Sequence, residues 1–329
     1  MDSQQLASLV PSHLDTAAYQ FGLPQMSGQL TVVPVFGWDR RDRFTSPLSG
    51  LKLSRVHGYG NLELHNASQE GVAIVPLHIG YIQDQAQNHA LCRSAFIAAG
   101  QKLMFQDACC VQAAQGGYLE GREQWFFILP LQLRLKALEL RGLKNYNKLW
   151  EEIGRLNASL GLPRIGHLEQ VISRKRAFLT QYQSRLELLP QQTGGLFFLQ
   201  NQLVGVEIAP SAAYFQEVWM PLVCFCYGVG AMSVEKSIQE CEKPVVPLVA
   251  SSLQELRQKL HQSRLKLQQQ LSGCLAKIPT QNFRIHEEER FLSLSLKTAI
   301  GSDFAGQFIE EAGEVVYLSM FAKPDSLSH

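Results

Sequence analysis

An excess of charge of either sign is what this sequence most plainly lacks: 30 Lys and Arg stand against 29 Asp and Glu. A general nucleic-acid binder carries a basic excess, so that class is set aside. Cysteine is sparse and odd in number, with seven in 329 residues. That count supports no disulfide framework and predicts free thiols in a reducing, cytoplasmic setting. Long hydrophobic runs are also missing. The longest, Met220 to Met232, is thirteen residues, short of the roughly 20 that a bilayer span needs. The amino terminus has acidic Asp2 and no basic region ahead of an apolar core, so it does not read as a secretory leader. Paired CxxC, HExxH, the P-loop and the dinucleotide fingerprint are all absent, so no metal and no cofactor is expected.

What is present is a change of period along the chain. Residues 1–29 are a polar lead-in. Leu30 to Phe36 is β-branched and short, and Pro34 points to an edge strand. Leu62 to Asn66 alternates with period two, as a half-buried strand does. Val72 to Ile79, Leu103 to Gln112 and Gln124 to Leu129 follow, separated by turns that include Gly116-Gly117. Residues 30–130 therefore read as an antiparallel β portion. Residues 131–329 read as a mixed helical and β portion, forming one compact unit with it.

In that second portion the apolar stripe of Tyr146, Leu149, Trp150, Ile153, Leu156 and Leu160 predicts a helix stopped by Gly161 and Pro163. A second helix is expected over His167 to Leu189. Leu196 to Leu199 and Leu203 to Ile208 make a hairpin candidate. Tyr214 to about Gly228 is apolar nearly all round and predicts a buried helix. Ser252-Leu253-Gln254-Glu255 reads as a capping box. The helix it opens runs to about Ile278 with Leu253, Leu256, Leu260, Leu267 and Leu271 along one side. Two uses fit it: a helix laid over a sheet, or a coiled-coil face for a partner. Phe291 to Leu296 and Val315 to Phe321 read as strands joined by Gly301 to Gly313. The fold class expected is α+β: an antiparallel β-rich amino-terminal portion, with helices and a second small β element packed on it.

Few residues suggest chemistry. Cys109 and Cys110 sit on a strand and face opposite ways, so one of them could share a face with His89. A nucleophilic thiol needs such a neighbour to lower its pKa; otherwise it is a packing residue. Cys224 and Cys226 read as packing residues on the buried helix. Glu63 and His65 share a strand face, but no further ligand accompanies them. Glu207, beside Gly205 on a strand, either has a buried partner or faces solvent. Gln87, Asn88, Gln112 and Gln124 add neutral amides that would read a polar ligand without strong charge.

Several pieces occur in a telling order: Gln87-Asn88 in a turn, Cys109-Cys110-Val111-Gln112 about twenty residues later, the helix from Tyr146 to Pro163, then Gly205-Val206-Glu207-Ile208 and Phe215 to Trp219. This order resembles the ARG-, rhodanese- and phosphatase-superfamily-associated protein (ARPP) family over roughly residues 30–235. The resemblance implies gene neighbours among ADP-ribosylglycohydrolases, rhodaneses and phosphatases, and no established reaction. Where the family's turn carries Lys and Arg, this chain has Ala86 and His89. Where the family reads Cys-Val-Glu and then Arg-Trp, it has Cys110-Val111-Gln112 and Gly116-Gly117.

Three functional readings remain open. In the first, the chain is an accessory ligand-binding or protein-interaction module without catalytic machinery, with any polar site around Gln87, Asn88, His89, Cys110, Gln112 and Glu207. In the second, it is a cysteine-dependent hydrolase of an ADP-ribose-like small molecule, with Cys110 as nucleophile, His89 as base and Glu207 as orienter. In the third, it is an assembly or adaptor protein that binds a partner through residues 252–278 and the basic turn at 40–43.

Overall fold

A computed structural model describes residues 19–37, 43–82, 87–113, 125–238 and 249–324. The expected features at Arg40 to Asp42, Ala86, Gly116-Gly117 and Gln124 lie outside the described residues.

The dominant element is a nine-stranded sheet. Its amino-terminal strands are β1 (Gln20–Phe21), β2 (Gln25–Ser27) and β3 (Leu30–Phe36). Both β1 and β2 pair with β3, one on each side of the Val33-Pro34 stretch. The expected edge position of Pro34 is thus adjusted: short strands cover that edge, and they leave a gap where proline has no N–H to give.

Small sheets fill the next stretch. They comprise β4 (Phe44–Thr45), β5 (Leu51–Val56), β6 (Leu62–Asn66), β7 (Val72–Ile74), β8 (Ile79–Ile82), β9 (His89–Ala90), β10 (Phe96–Ala98), β11 (Lys102–Phe105), β12 (Cys109–Cys110) and β13 (Trp125–Ile128). They associate as β10-β7-β4, β11-β6-β5 and β12-β9-β8-β13. Every pair is antiparallel except β4 with β7. The single strand expected over Val72 to Ile79 is broken at Pro76 and at His78, whose φ of 63° is left-handed. Leu51, Leu62, Leu64, Val75, Ile97 and Phe105 form a second small core between these sheets.

The helices are α1 (Leu131–Glu139), α2 (Trp150–Ser159), α3 (Glu169–Arg174) and α4 (Arg176–Arg185). The helix expected over His167 to Leu189 is therefore two, split at Lys175. The hairpin β14 (Gly194–Leu199) and β15 (Gln202–Ile208) turns through Gln200 and Asn201, with φ of 50° and 66°. Two left-handed residues make the tight turn that matches strand twist. In the large sheet β14 lies beside β3.

The buried helix is longer than its apolar pattern suggested. It is α5 (Ala212–Met220), a π-helical turn Pro221–Cys226, and α6 (Tyr227–Ile238). Ser211 caps it by accepting from the Tyr214 N–H at 3.1 Å. Ala212–Glu235 is long and apolar enough to cross a membrane by length and composition, and 78% of its most apolar window is buried inside the fold. Here α6 packs on β3 and β14 as a core helix.

The helix α7 (Leu253–Leu275) precedes β16 (Arg284–Phe291), β17 (Leu294–Ile300), β18 (Phe304–Glu311) and β19 (Glu314–Ala322). β18 was not anticipated. It is buried along its whole length, so it shows no alternation. The sheet order is β1-β3-β14-β15-β19-β18-β17-β16. Strands from both ends of the chain share this sheet, so position 130 marks a change of pattern within it. The fold is α+β with large antiparallel sheets and a β-rich amino-terminal part.

Candidate functional site

Five of the expected site residues converge, because β9 and β12 pair with Cys110 opposite His89. Asn88, His89, Cys110 and Gln112 are buried, and Gln87 is half-buried. The Gln112 side chain accepts from the Asn88 N–H at 3.3 Å, and the Asn88 carbonyl accepts from Val111 at 2.9 Å. Gln112 also bridges to His167, whose Nε2 lies 2.9 Å from the Glu169 carboxylate. The buried His167–Glu169 pair was missed by sequence reasoning. Its members lie two residues apart beside the start of α3, and neither belongs to a recognisable motif.

The hydrogen bonds at His89 assign its tautomer. Gly60 N–H donates to Nε2 at 3.0 Å, so Nε2 is the acceptor. Nδ1 then carries the proton and donates to the Gln87 carbonyl at 2.7 Å. A neutral imidazole has one donor and one acceptor, and both are committed to backbone. Burial lowers the His89 pKa, opposed by the Gln87 carbonyl. His89 is thus a clamp that ties the 57–61 loop to the 87–89 turn. Gly60 makes this possible: its φ is 79°, and a Cβ there would press on Tyr146 at 3.0 Å.

Cys110 lacks the surroundings of a nucleophile. Burial pushes its thiol pKa up, and the bond to Gln112 opposes this only in part. The thiol donates to the Gln112 carbonyl at 3.3 Å, and Trp150 Nε1 donates to the Cys110 carbonyl at 2.9 Å. Cys109 faces the other way and lies 2.9 Å, sulfur to sulfur, from Cys92.

Glu207 belongs to a different network. Arg134 on α1 is fully buried and meets the Glu207 carboxylate at 2.7 Å. The same guanidinium donates to Ser319 Oγ at 2.5 Å, Tyr227 OH at 3.2 Å and His78 Nδ1 at 3.3 Å. It lies over the Phe321 ring at 4.5 Å. Tyr227 OH donates to Glu207 at 2.7 Å. Burial opposes the Arg134 charge, yet Glu207, Cys226 and Tyr227 outweigh it and raise the Arg134 pKa. Gly205 is required here: a Cβ would sit 1.9 Å from Tyr227 OH. Its absence lets the Tyr227 ring lie flat against the strand and stack on Phe197 at 4.0 Å. The space around Glu207 holds a cavity of about 10 Å³, room for one water.

Other expected sites resolve in similar ways. Glu63 accepts from Ser54 at 2.8 Å and pairs with Lys102 at 3.3 Å. Arg43, at the described end of the basic turn, pairs with Glu311. Cys224 and Cys226 are buried in the π turn. Among the described residues no three His, Cys, Asp or Glu side chains converge as metal ligands. An open hollow of 540 Å³ beside the 57–61 loop is lined by His57, Tyr59, Asn61, Met104, Gln106 and Lys144.

An exposed apolar surface lies elsewhere, on α7. Only Leu271 and Leu275 of this helix are buried. Leu253 is 63% and Leu260 45% exposed, with Leu256 half-exposed, while Leu267 packs in part against the core. The cap is modified from the expected box: Ser252 Oγ accepts from the Glu255 N–H at 3.1 Å, while the Glu255 carboxylate reaches Ser251.

Over residues 18–321 the chain matches the family model described as the ARG and Rhodanese-Phosphatase-superfamily-associated Protein domain. No curated protein and no solved structure matches it.

Proposed function

The chain belongs to the ARG and Rhodanese-Phosphatase-superfamily-associated Protein family, and from that premise we propose that it is an accessory protein-interaction module whose working surface is α7. One observation carries this reading: the amino-terminal turns of α7 stand in solvent with their leucine stripe uncovered. A helix with that much apolar surface in water gains by burying it against a partner. The interior supports the same reading. His89 has spent both ring nitrogens, the Cys110 thiol is held protonated, and Glu207 is paired inside the core. General acid-base work needs a group within reach of substrate, and these are not offered to one.

The test is a double substitution, Leu253→Ser with Leu260→Ser, in the full chain expressed in cells. Proteins retained by the wild type are expected to be lost from the variant, with unchanged circular dichroism and melting. Equal retention by the two chains overturns the assignment of α7 as the working surface.

A further inference from the structure

The register of α7 says what kind of partner it fits. Leu253, Leu260 and Leu267 repeat at seven-residue intervals, with Leu256 and Ser263 between them. In a two-stranded coiled coil these are the a and d positions. The flanking e positions are then Arg257 and Arg264, and the g positions are Lys259 and Lys266. All of the flanking positions over two heptads are basic. The one acidic residue of the helix, Glu255, sits on the far side and pairs with Lys259 at 2.7 Å. The chain as a whole carries a net charge of +1, so this concentration of positive charge is local to the arm. Arg257, Arg264 and Lys266 are exposed and make no ion pair among the described residues.

Pairing across a coiled coil sets e against g of the other helix. Two copies of α7 would place Arg257 and Arg264 against Lys259 and Lys266, all of like sign. That arrangement disfavours a second copy of this chain. An acidic helix turns each of these contacts into an attraction.

We infer that α7 docks an acidic amphipathic helix of another protein, with apolar residues against Leu253, Leu256 and Leu260 and with Glu or Asp against Arg257, Lys259, Arg264 and Lys266. This rests on the reading of α7 as the working surface and adds the chemistry of its partner. Leu267, Leu271 and Leu275 anchor the helix to the body of the protein. The partner therefore lies along the amino-terminal turns, and Ser263 at a d position limits the strength of the contact.

The test uses the full chain and three synthetic helical peptides with Leu at a and d. Their e and g positions carry Glu, Gln or Lys, and binding is followed by fluorescence anisotropy at low and raised salt. The Glu peptide is expected to bind about tenfold tighter than the Gln peptide at low salt, from several exposed opposite-charge pairs. The advantage should shrink as salt screens it, and the Lys peptide should not bind. In the variant Arg257→Glu/Lys259→Glu/Arg264→Glu/Lys266→Glu the preference should invert to the Lys peptide. Equal binding of the Glu and Gln peptides would overturn the charge rule and leave α7 as a docking helix. Binding of none of the three would remove the helix-docking surface together with the rule. Self-association abolished by Leu253→Ser with Leu260→Ser would assign the face to a second copy, against the inference. Binding to vesicles of anionic phospholipid, lost in the same variant, would assign it to a membrane surface, also against it.

Discussion

The Arg134 cluster and the amino-terminal half of α7 handle charge in opposite ways. Arg134 is sealed from water, and each of its nitrogens has a partner: Glu207, Tyr227, Ser319 and His78. Arg257, Arg264 and Lys266 stand in water with no ion-pair partner among the described residues. In the first region glutamate, tyrosine and arginine are locked together by a sheet and two helices. In the second, leucine and arginine share one largely exposed helix that packs on the body through Leu267, Leu271 and Leu275. The difference separates what the fold needs from what it leaves free. A buried ion pair is costly to leave half-made, so its residues are bound to structure. An exposed apolar stripe costs stability too, and keeping it uncovered makes sense when another surface is to cover it.

This contrast can be broken by substitution, and the largest effect should fall at the centre. Glu207→Ala strands the Arg134 charge in the core and should cost about 3–5 kcal/mol, read as a lower urea midpoint. A loss below about 1 kcal/mol would mean that water reaches Arg134 and that the network is looser than its geometry. Gly205→Ala comes next. Its methyl meets the Tyr227 ring, and overpacking of this kind costs about 1–3 kcal/mol.

Acid should sharpen the contrast further. Burial lowers the pKa of His78, with the Arg134 charge adding to it, and burial lowers that of His89, both from an ordinary value of 6.5. Below that value the unfolded chain takes up protons that the folded chain refuses. The stabilising contribution is therefore whole above pH 6.5 and declines as pH falls toward the lowered folded values. Each histidine adds at most about 1.4 kcal/mol per pH unit to the slope. His89→Gln should flatten the profile between pH 6.5 and 5; an unchanged profile would mean that His89 is not held neutral.

The smallest effects belong to the arm and to Cys110. Leu253→Ser and Leu260→Ser should each move stability by no more than about 0.5 kcal/mol, in contrast to their effect on partner retention. Cys110 should resist iodoacetamide in the native chain at neutral pH, because its thiol is buried and its pKa raised. Rapid alkylation mapped to Cys110 by mass spectrometry would revive the hydrolase reading.

Much of the architecture was legible as periodicity. β3, β6 and the β14–β15 hairpin lie where alternation and β-branching put them, and α7 begins at its capping serine. The elements that escaped lack a readable period. β18 is buried on both faces and so shows no alternation. The helix after His167 breaks at Lys175 without proline or glycine to announce it. The site was legible only in pieces. The convergence of Gln87 through Gln112 needed the β9–β12 pairing. The partner of Glu207 is Arg134, 73 positions away on a helix whose pattern gave no sign of a buried charge.

The order of the residues by themselves determined the α+β class, the family and the leucine heptads of α7, since each is a matter of local pattern or direct match. Tertiary structure decided which charges are spent and which are free. That division depends on what lies opposite each side chain once distant strands pair, and no local pattern carries that information.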